Sequence, residues 1–208
     1  MKERPILFSA PMVLALLDGN KTQTRRVVKP QPEWTEPATI WQQGDGHSGP
    51  GWYAHNEDYP DEGALFYRCP YGQPGDRLWV RETWCHQWND KTGYQENGYW
   101  YRATTPDVQH VDGAEKSPWK PSIHMPRAAS RITLEITAVR VERLQDISDA
   151  DAQAEGIVPA GDGNGWQTAD TRHYMADPVA SYMSLWESIN GPVANPWVWV
   201  IEFRKVTP

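Results

Sequence analysis

Lysine and arginine are absent from residues 33–62, a stretch that holds Glu33, Glu36, Asp45, Glu57, Asp58, Asp61 and Glu62. Those acids account for the whole formal net charge of −7, and the rest of the chain is neutral. Without an excess of clustered bases, broad sequence-blind binding to duplex phosphates is excluded, whereas a small pocket for one nucleotide is not. The acidic stretch can itself imitate nucleic acid toward a basic host protein, so residues 33–62 form a candidate partner surface.

Cysteine is scarce as well. Cys69 and Cys85 form no C-x-x-C pair, and His47, His55, His86, His110, His124 and His173 are scattered without metal-ligand spacing. No structural metal and no cofactor are expected, and a reduced, cytoplasmic protein fits best. Long apolar runs are missing too: no segment approaches the roughly 18 continuous apolar residues of a membrane span. Residues 6–17 superficially resemble a leader, but Pro11 interrupts them, no small-residue cleavage pattern follows, and Asp18-Gly19-Asn20 reads as a helix end.

The chain does have length and aromatics. Its 208 residues suit a single domain with one hydrophobic core, carrying insertions at about 31–75, 104–126 and 159–176. Twelve Trp and nine Tyr are a heavy aromatic load. Rings beside arginines are what single-stranded bases stack on, although Trp also fills cores and pins loops.

Helix signals are clear in three places. Residues 10–17 carry Ser9 as N-cap, Pro11 in the first turn and Gly19 past the end. Ser148 with Asp149 and Asp151 starts a second helix that Gly156 ends, and Asp177-Pro178 opens a third that Gly191-Pro192 closes. The third bears Val179, Tyr182, Met183 and Trp186 at helical spacing, a stripe that reads as core. Strand character marks residues 21–28, 76–84, 98–103, 131–141 and 197–204. In the fourth, the apolar phase jumps after Ala138, which predicts a bulge near Ala138-Val139 of the kind that helps a sheet close.

The chemistry-bearing segment is Gly19-Asn20-Lys21-Thr22-Gln23-Thr24-Arg25-Arg26. Lys21 and Thr24 offer a base and a nucleophile, and Arg25, Arg26 and Lys29 offer donors for a phosphate or a base edge, although short Lys/Thr/Arg runs also form solvated strand faces. In a regular strand Lys21 and Thr24 would point opposite ways, so they meet only if the backbone turns between Asn20 and Gln23. Glu155 falls on the last turn of its helix, where the negative end of the dipole can raise a carboxyl pKa. Glu82 falls on the apolar face of its strand, as an edge position or a pocket carboxylate.

Gly19-x-Lys21-x-x-Thr24-x-Arg26, the turn Pro74-Gly75-Asp76-Arg77-Leu78, the helix ending Asp151-Ala152-x-Ala154-Glu155-Gly156 and the closing strand at 197–203 together resemble the ASCH domain of the PUA-like superfamily. Pro121-Ser122-Ile123-His124-Met125-Pro126-Arg127 and Ser188-Ile189-Asn190-Gly191 are similar to a phage and prophage subgroup of it. The resemblance implies an α+β fold, a small mixed β-barrel flanked by helices with long Pro/Gly/Trp-rich insertions, and a cleft facing a modified nucleoside or single-stranded RNA. Some compact relatives hydrolyse N4-acetylcytidine with a Lys, a Thr and a Glu, which by motif become Lys21, Thr24 and Glu155. Arg25, Arg26, Glu82, His124 and Arg127 are then candidate substrate-binding residues. Three classes follow: an amidohydrolase of acylated cytidine, a non-catalytic RNA or modified-nucleotide binding module, and a ribonuclease using His124 and Arg127.

Overall fold

The computed structural model describes residues 1–31, 38–43, 51–56, 65–86, 98–107, 119–192 and 195–206, with 38–43, 51–56 and 65–67 described by their backbone. In chain order the strands and helices are β1 (Glu3–Leu7), α1 (Ala10–Leu17), β2 (Gln23–Val27), β3 (Ala38–Gln43), β4 (Gly51–Asn56), β5 (Leu65–Tyr67), β6 (Arg77–Arg81), β7 (Trp84–His86) and β8 (Tyr99–Tyr101). They continue with β9 (Thr133–Arg143), α2 (Asp149–Ala154), β10 (Val158–Pro159), β11 (Trp166–Gln167), α3 (Pro178–Asn190) and β12 (Trp197–Val206). The fold is mixed α+β.

Its centre is a five-stranded mixed sheet in the order β1-β6-β9-β12-β2. Only β1 and β6 run parallel, and the other pairs are antiparallel. The alternation along β12 explains why the sheet is covered on both sides. Trp199, Ile201 and Phe203 join a core cluster with Ile6, Val13 and Leu16, while Val198 and Val200 join a second with Ala152, Tyr182 and Trp186. Hence α1 covers one face and α2 with α3 covers the other. Each apolar side chain buried in this way contributes about 1.5–3 kcal/mol of transfer free energy before entropy is subtracted.

The predicted bulge is present one residue early. Glu202 faces Ala138 but Phe203 faces Ile136, so Thr137 has no partner across the ladder. Buried positions accordingly shift from Ile132, Leu134 and Ile136 to Val139. The closed barrel is not seen: β1 and β2 are the two edges of the sheet, and no ladder joins them among the described residues. One side chain does, because Arg26 Nη2 donates to the Leu7 carbonyl at 2.8 Å.

The helices start and stop largely as their end residues dictate. Ser148 accepts from the Asp151 N–H at 3.1 Å and Asp177 from the Ala180 N–H at 2.7 Å. Ser9 is extended ahead of α1, yet its hydroxyl caps nothing. β1 is a strand that the sequence reading lacks, since Ile6 and Leu7 open the apolar run at 6–17 and read with it. The excursion at 31–75 also holds a three-stranded antiparallel sheet, β3-β4-β5. Within the insertion at 159–176, the Trp166 and Met175 backbones exchange two hydrogen bonds of 2.8 and 2.9 Å. Most of the acidic 33–62 stretch lies outside the described residues.

Gly19 and Gly156 both hold positive φ, +80° and +100°. A Cβ on Gly19 meets open space, whereas one on Gly156 would lie 2.9 Å from Ala15 Cβ and 3.4 Å from Lys21 Cβ. Gly156 therefore seats the Lys21 stem as well as ending α2. Gly156→Ala should cost roughly 1–3 kcal/mol through backbone strain, with a steric cost added. Urea denaturation checks this: Gly156→Ala should fall further than Gly19→Ala, which carries the backbone cost alone.

Candidate active-site cleft

Lys21 lies just outside the ladder of β2. Its backbone N–H donates to Ala15 O at 3.0 Å after the Gly19 turn, and it forms an isolated antiparallel bridge with Glu155. This brings the ammonium to the end of α2. Lys21 Nζ donates to Glu155 Oε2 at 2.6 Å and to the Glu155 carbonyl at 2.8 Å, and the lysine side chain is 0% exposed. Of Lys21, Thr24 and Glu155, the first and the last thus meet directly.

Burial pushes the Lys21 pKa below its ordinary 10.5, because the charged form loses its water. Glu155 opposes that shift, and the Arg26 and Arg25 charges add to it. Lys21 Nζ also sits 5.6 Å from the centre of the Phe8 ring, and the Arg26 guanidinium lies 5.4 Å from the same ring.

Arg25 extends the cluster. Its side chain is 0% exposed, with Nη1 3.5 Å from Glu155 Oε1 and Nη2 3.0 Å from Glu142 Oε2 and 3.4 Å from Asp151 Oδ2. Arg140 then pairs with Glu142, Asp151 and Glu202, and Gln23 Nε2 donates to Asp151 Oδ1 at 3.0 Å. The network ties β2, β9 and β12 to α2. Burial raises the Asp151 pKa, but hydrogen bonds from Ser148 and Gln23 and the Arg25 and Arg140 charges outweigh it and hold it at about 2.

The consequence for stability has a defined sign. Asp151 binds its proton less tightly in the folded chain than at its ordinary 3.8, so its contribution is whole above that pH and is lost as pH falls to about 2. Urea midpoints should drop more steeply across this window for the native chain than for Asp151→Asn.

A cleft of about 300 Å3 opens along the β2 edge of the sheet. It is lined by Thr24, Arg25, Arg26 and Lys29, by Met12, Pro70 and Tyr71, by Tyr182, Leu185, Trp186 and Asn190 of α3, and by Glu155, whereas the buried Lys21 is not among the lining residues. Phe203 N donates to Thr22 O, and Val28 N to Trp197 O. By the alternation of an antiparallel ladder, the backbone N–H groups of Gln23, Arg25 and Val27 therefore point away from β12, toward the open edge. Burial drives the Tyr182 pKa well up, the Glu155 carboxylate adds to this, and the Arg25 and Arg26 charges oppose it.

Thr24 faces the same cleft as Glu155 but is not bonded to it. No hydrogen bond joins its hydroxyl to Lys21 or Glu155 among the described residues. On β2, Thr24 lies opposite Ile201 and Arg25 opposite Val200, so they project to different faces of the sheet. Both reach the cleft because β2 is an edge.

The other candidates lie elsewhere. Glu82 is buried and holds Arg131 through two 2.9 Å bonds, and that guanidinium stacks 4.0 Å from the Tyr101 ring. Arg127 is paired with Glu3 at 3.0 Å, and His124 is exposed in the short turn Ser122–His124. None of the three lines the cleft. Tyr182 and Trp186 do line it, although their helical stripe reads as core alone, and they are buried in the second core cluster as well.

Cys69 and Cys85 are free, buried thiols, and burial pushes Cys69 up to about 11. Among the described residues, no His, Cys, Asp and Glu group is arranged to hold a metal ion, and no helix is long and apolar enough to cross a membrane. Compared with protein-family models, curated proteins and solved structures, the chain matches none.

Proposed function

We propose that this protein is an ASCH-type amidohydrolase that removes the acyl group from an N4-acylated cytidine. The observation that carries the reading is the buried Lys21–Glu155 pair at 2.6 Å, whose Glu155 lines the same cleft as Thr24. A lysine ammonium taken out of water and faced by two arginines loses its proton more readily than one in solvent, which suits it to act as a base. Tyr71, Tyr182 and Trp186 are flat walls on which a pyrimidine can rest.

The chemistry then divides among this chain's own groups. Thr24 Oγ attacks the acyl carbon, and its proton passes to neutral Lys21 Nζ. The Arg25 N–H on the open edge of β2 faces the oxyanion. Collapse breaks the C–N bond, the proton on Lys21 goes to the departing exocyclic nitrogen, and cytidine leaves. Water then attacks the Thr24 ester and gives a proton to Lys21; the ester C–O bond breaks, Lys21 returns that proton to Thr24 Oγ, and the carboxylic acid leaves. Glu155 orients the lysine throughout. The family reading also includes a small barrel, here with Arg26 spanning β2 and β1 where a ladder would otherwise close the sheet.

A second reading is a binding module that holds the modified nucleotide without turning it over, and a Thr24 hydroxyl with no hydrogen bond to Lys21 or Glu155 among the described residues favours it. Incubation of the pure protein with N4-acetylcytidine, other acyl nucleosides and single-stranded RNA, followed by mass spectrometry, separates the two. Cytidine and acetate are the expected products. Saturable binding without product would replace the hydrolase with the binding module.

A further inference from the structure

The cleft is lopsided in charge within a chain of net charge −7. Glu155 is the one carboxylate among its described lining residues, and it is already engaged by Lys21 and Arg25. Arg25 is in turn matched by Glu142 and Asp151. Arg26 and Lys29 are left. Arg26 gives one Nη2 hydrogen bond to the Leu7 carbonyl and lies over Phe8, but it has no carboxylate partner among the described residues. Lys29 is exposed and makes no hydrogen bond or ion pair among the described residues. Like charges sharing one cleft repel each other, and an anion between them reverses that cost.

Resting on the hydrolase or binding-module reading of this cleft, we infer that its ligand is a nucleotide, whose phosphate is held by Arg26 and Lys29 while its base reaches Thr24. The spacing along the chain fits. Thr24 and Arg26 share a face of β2 one pleat apart, on the order of 7 Å, and Lys29 lies within about 17 Å of Thr24 along extended backbone. A nucleotide covers that interval between the exocyclic nitrogen of its base and its 5′-phosphate. A guanidinium carries five N–H donors, so Arg26 retains others for phosphate oxygens after bonding Leu7. Arg26 fixes the anion from the strand, and Lys29 adds a mobile charge at the rim. The phosphate belongs either to a mononucleotide or to a phosphodiester of single-stranded RNA, which share this chemistry.

The test compares N4-acetylcytidine, its 5′-monophosphate and a short single-stranded oligoribonucleotide carrying one N4-acetylcytidine. It measures kcat/KM, together with affinities for cytidine and cytidine 5′-monophosphate read from tryptophan fluorescence. The monophosphate should exceed the nucleoside by about tenfold in both measures, a preference that weakens with added salt. In Lys29→Ala the ratio of monophosphate to nucleoside should fall, and in the Arg26→Gln, Lys29→Ala double variant it should approach one. If the oligoribonucleotide exceeds the monophosphate, the source is RNA; if it does not, the source is the free nucleotide.

Equal values for nucleoside and monophosphate would overturn the inference, as would a preference that survives undiminished in the double variant. Phosphate-dependent affinity without turnover would uphold this site and defeat the hydrolase. Turnover with no phosphate preference would do the reverse.

Discussion

Lys21→Met should lower kcat/KM on N4-acetylcytidine by about a thousandfold, the usual scale for losing a positioned general base. Methionine fills the space of the lysine stem against Gly156 without a titratable nitrogen, and Glu155 keeps its ion pair with Arg25, so the chain should still fold. The pH profile identifies the role. Because the Lys21 pKa is depressed, native kcat/KM should rise with pH to a plateau reached below 10.5, and the residual rate of Lys21→Met should lack that limb. Thr24→Ala should lose activity on the same scale, whereas Thr24→Ser should retain part of it, since a hydroxyl remains. A lysine that merely supports the fold would cost both variants stability and leave the pH limb in place.

Glu155→Gln should destabilise the folded chain by about 3–5 kcal/mol, because one member of a fully buried ion pair is removed while the other stays. The same change takes one carboxylate from Arg25, which keeps Glu142 and Asp151. Replacing both partners separates stability from chemistry. A Lys21→Met, Glu155→Leu double variant buries no unpaired charge and should recover much of the lost stability, yet remain inactive. Equilibrium urea unfolding of the native chain, Glu155→Gln and the double variant gives the comparison. A double variant no more stable than Glu155→Gln would show that the pair's charge is not the source of the cost.

The sequence announced what local rules control. Pro11 with Gly19, Ser148 with Gly156, and Asp177-Pro178 with Gly191 marked helices that the structure contains, because caps and breakers act over a few residues. The phase jump near Ala138 was legible for the same reason: a buried strand cannot change face without an extra residue. Lys21 and Glu155 were both recognisable as candidates, and the helix end at Asp18-Gly19-Asn20 was legible, although the turn there brings Lys21 to Glu155 and not to Thr24.

What stayed hidden depends on contacts between residues far apart in the chain. Nothing near Arg25 foretells Glu142 and Asp151, which reach it from β9 and α2. Tyr182 and Trp186 carry the periodicity of core residues, and it takes the open edge of β2 to turn that stripe into a cleft wall. Glu82 stands out by its place on an apolar strand face and His124 and Arg127 by their chemical type, but Arg131 occupies Glu82, Glu3 occupies Arg127, and His124 is exposed and does not line the cleft. β1 escaped notice because Pro5 and the apolar run after it mask a parallel edge strand, whose pairing with β6 spans some seventy residues of sequence.

The most direct measurement is peptide mass mapping of protein taken from an acid-quenched reaction with N4-acetylcytidine. The account predicts one acetyl group on the peptide containing Thr24, with none on Thr24→Ala and no cytidine released by that variant. Cytidine released by Thr24→Ala at the native rate, with no acetyl group on the native protein, would contradict it.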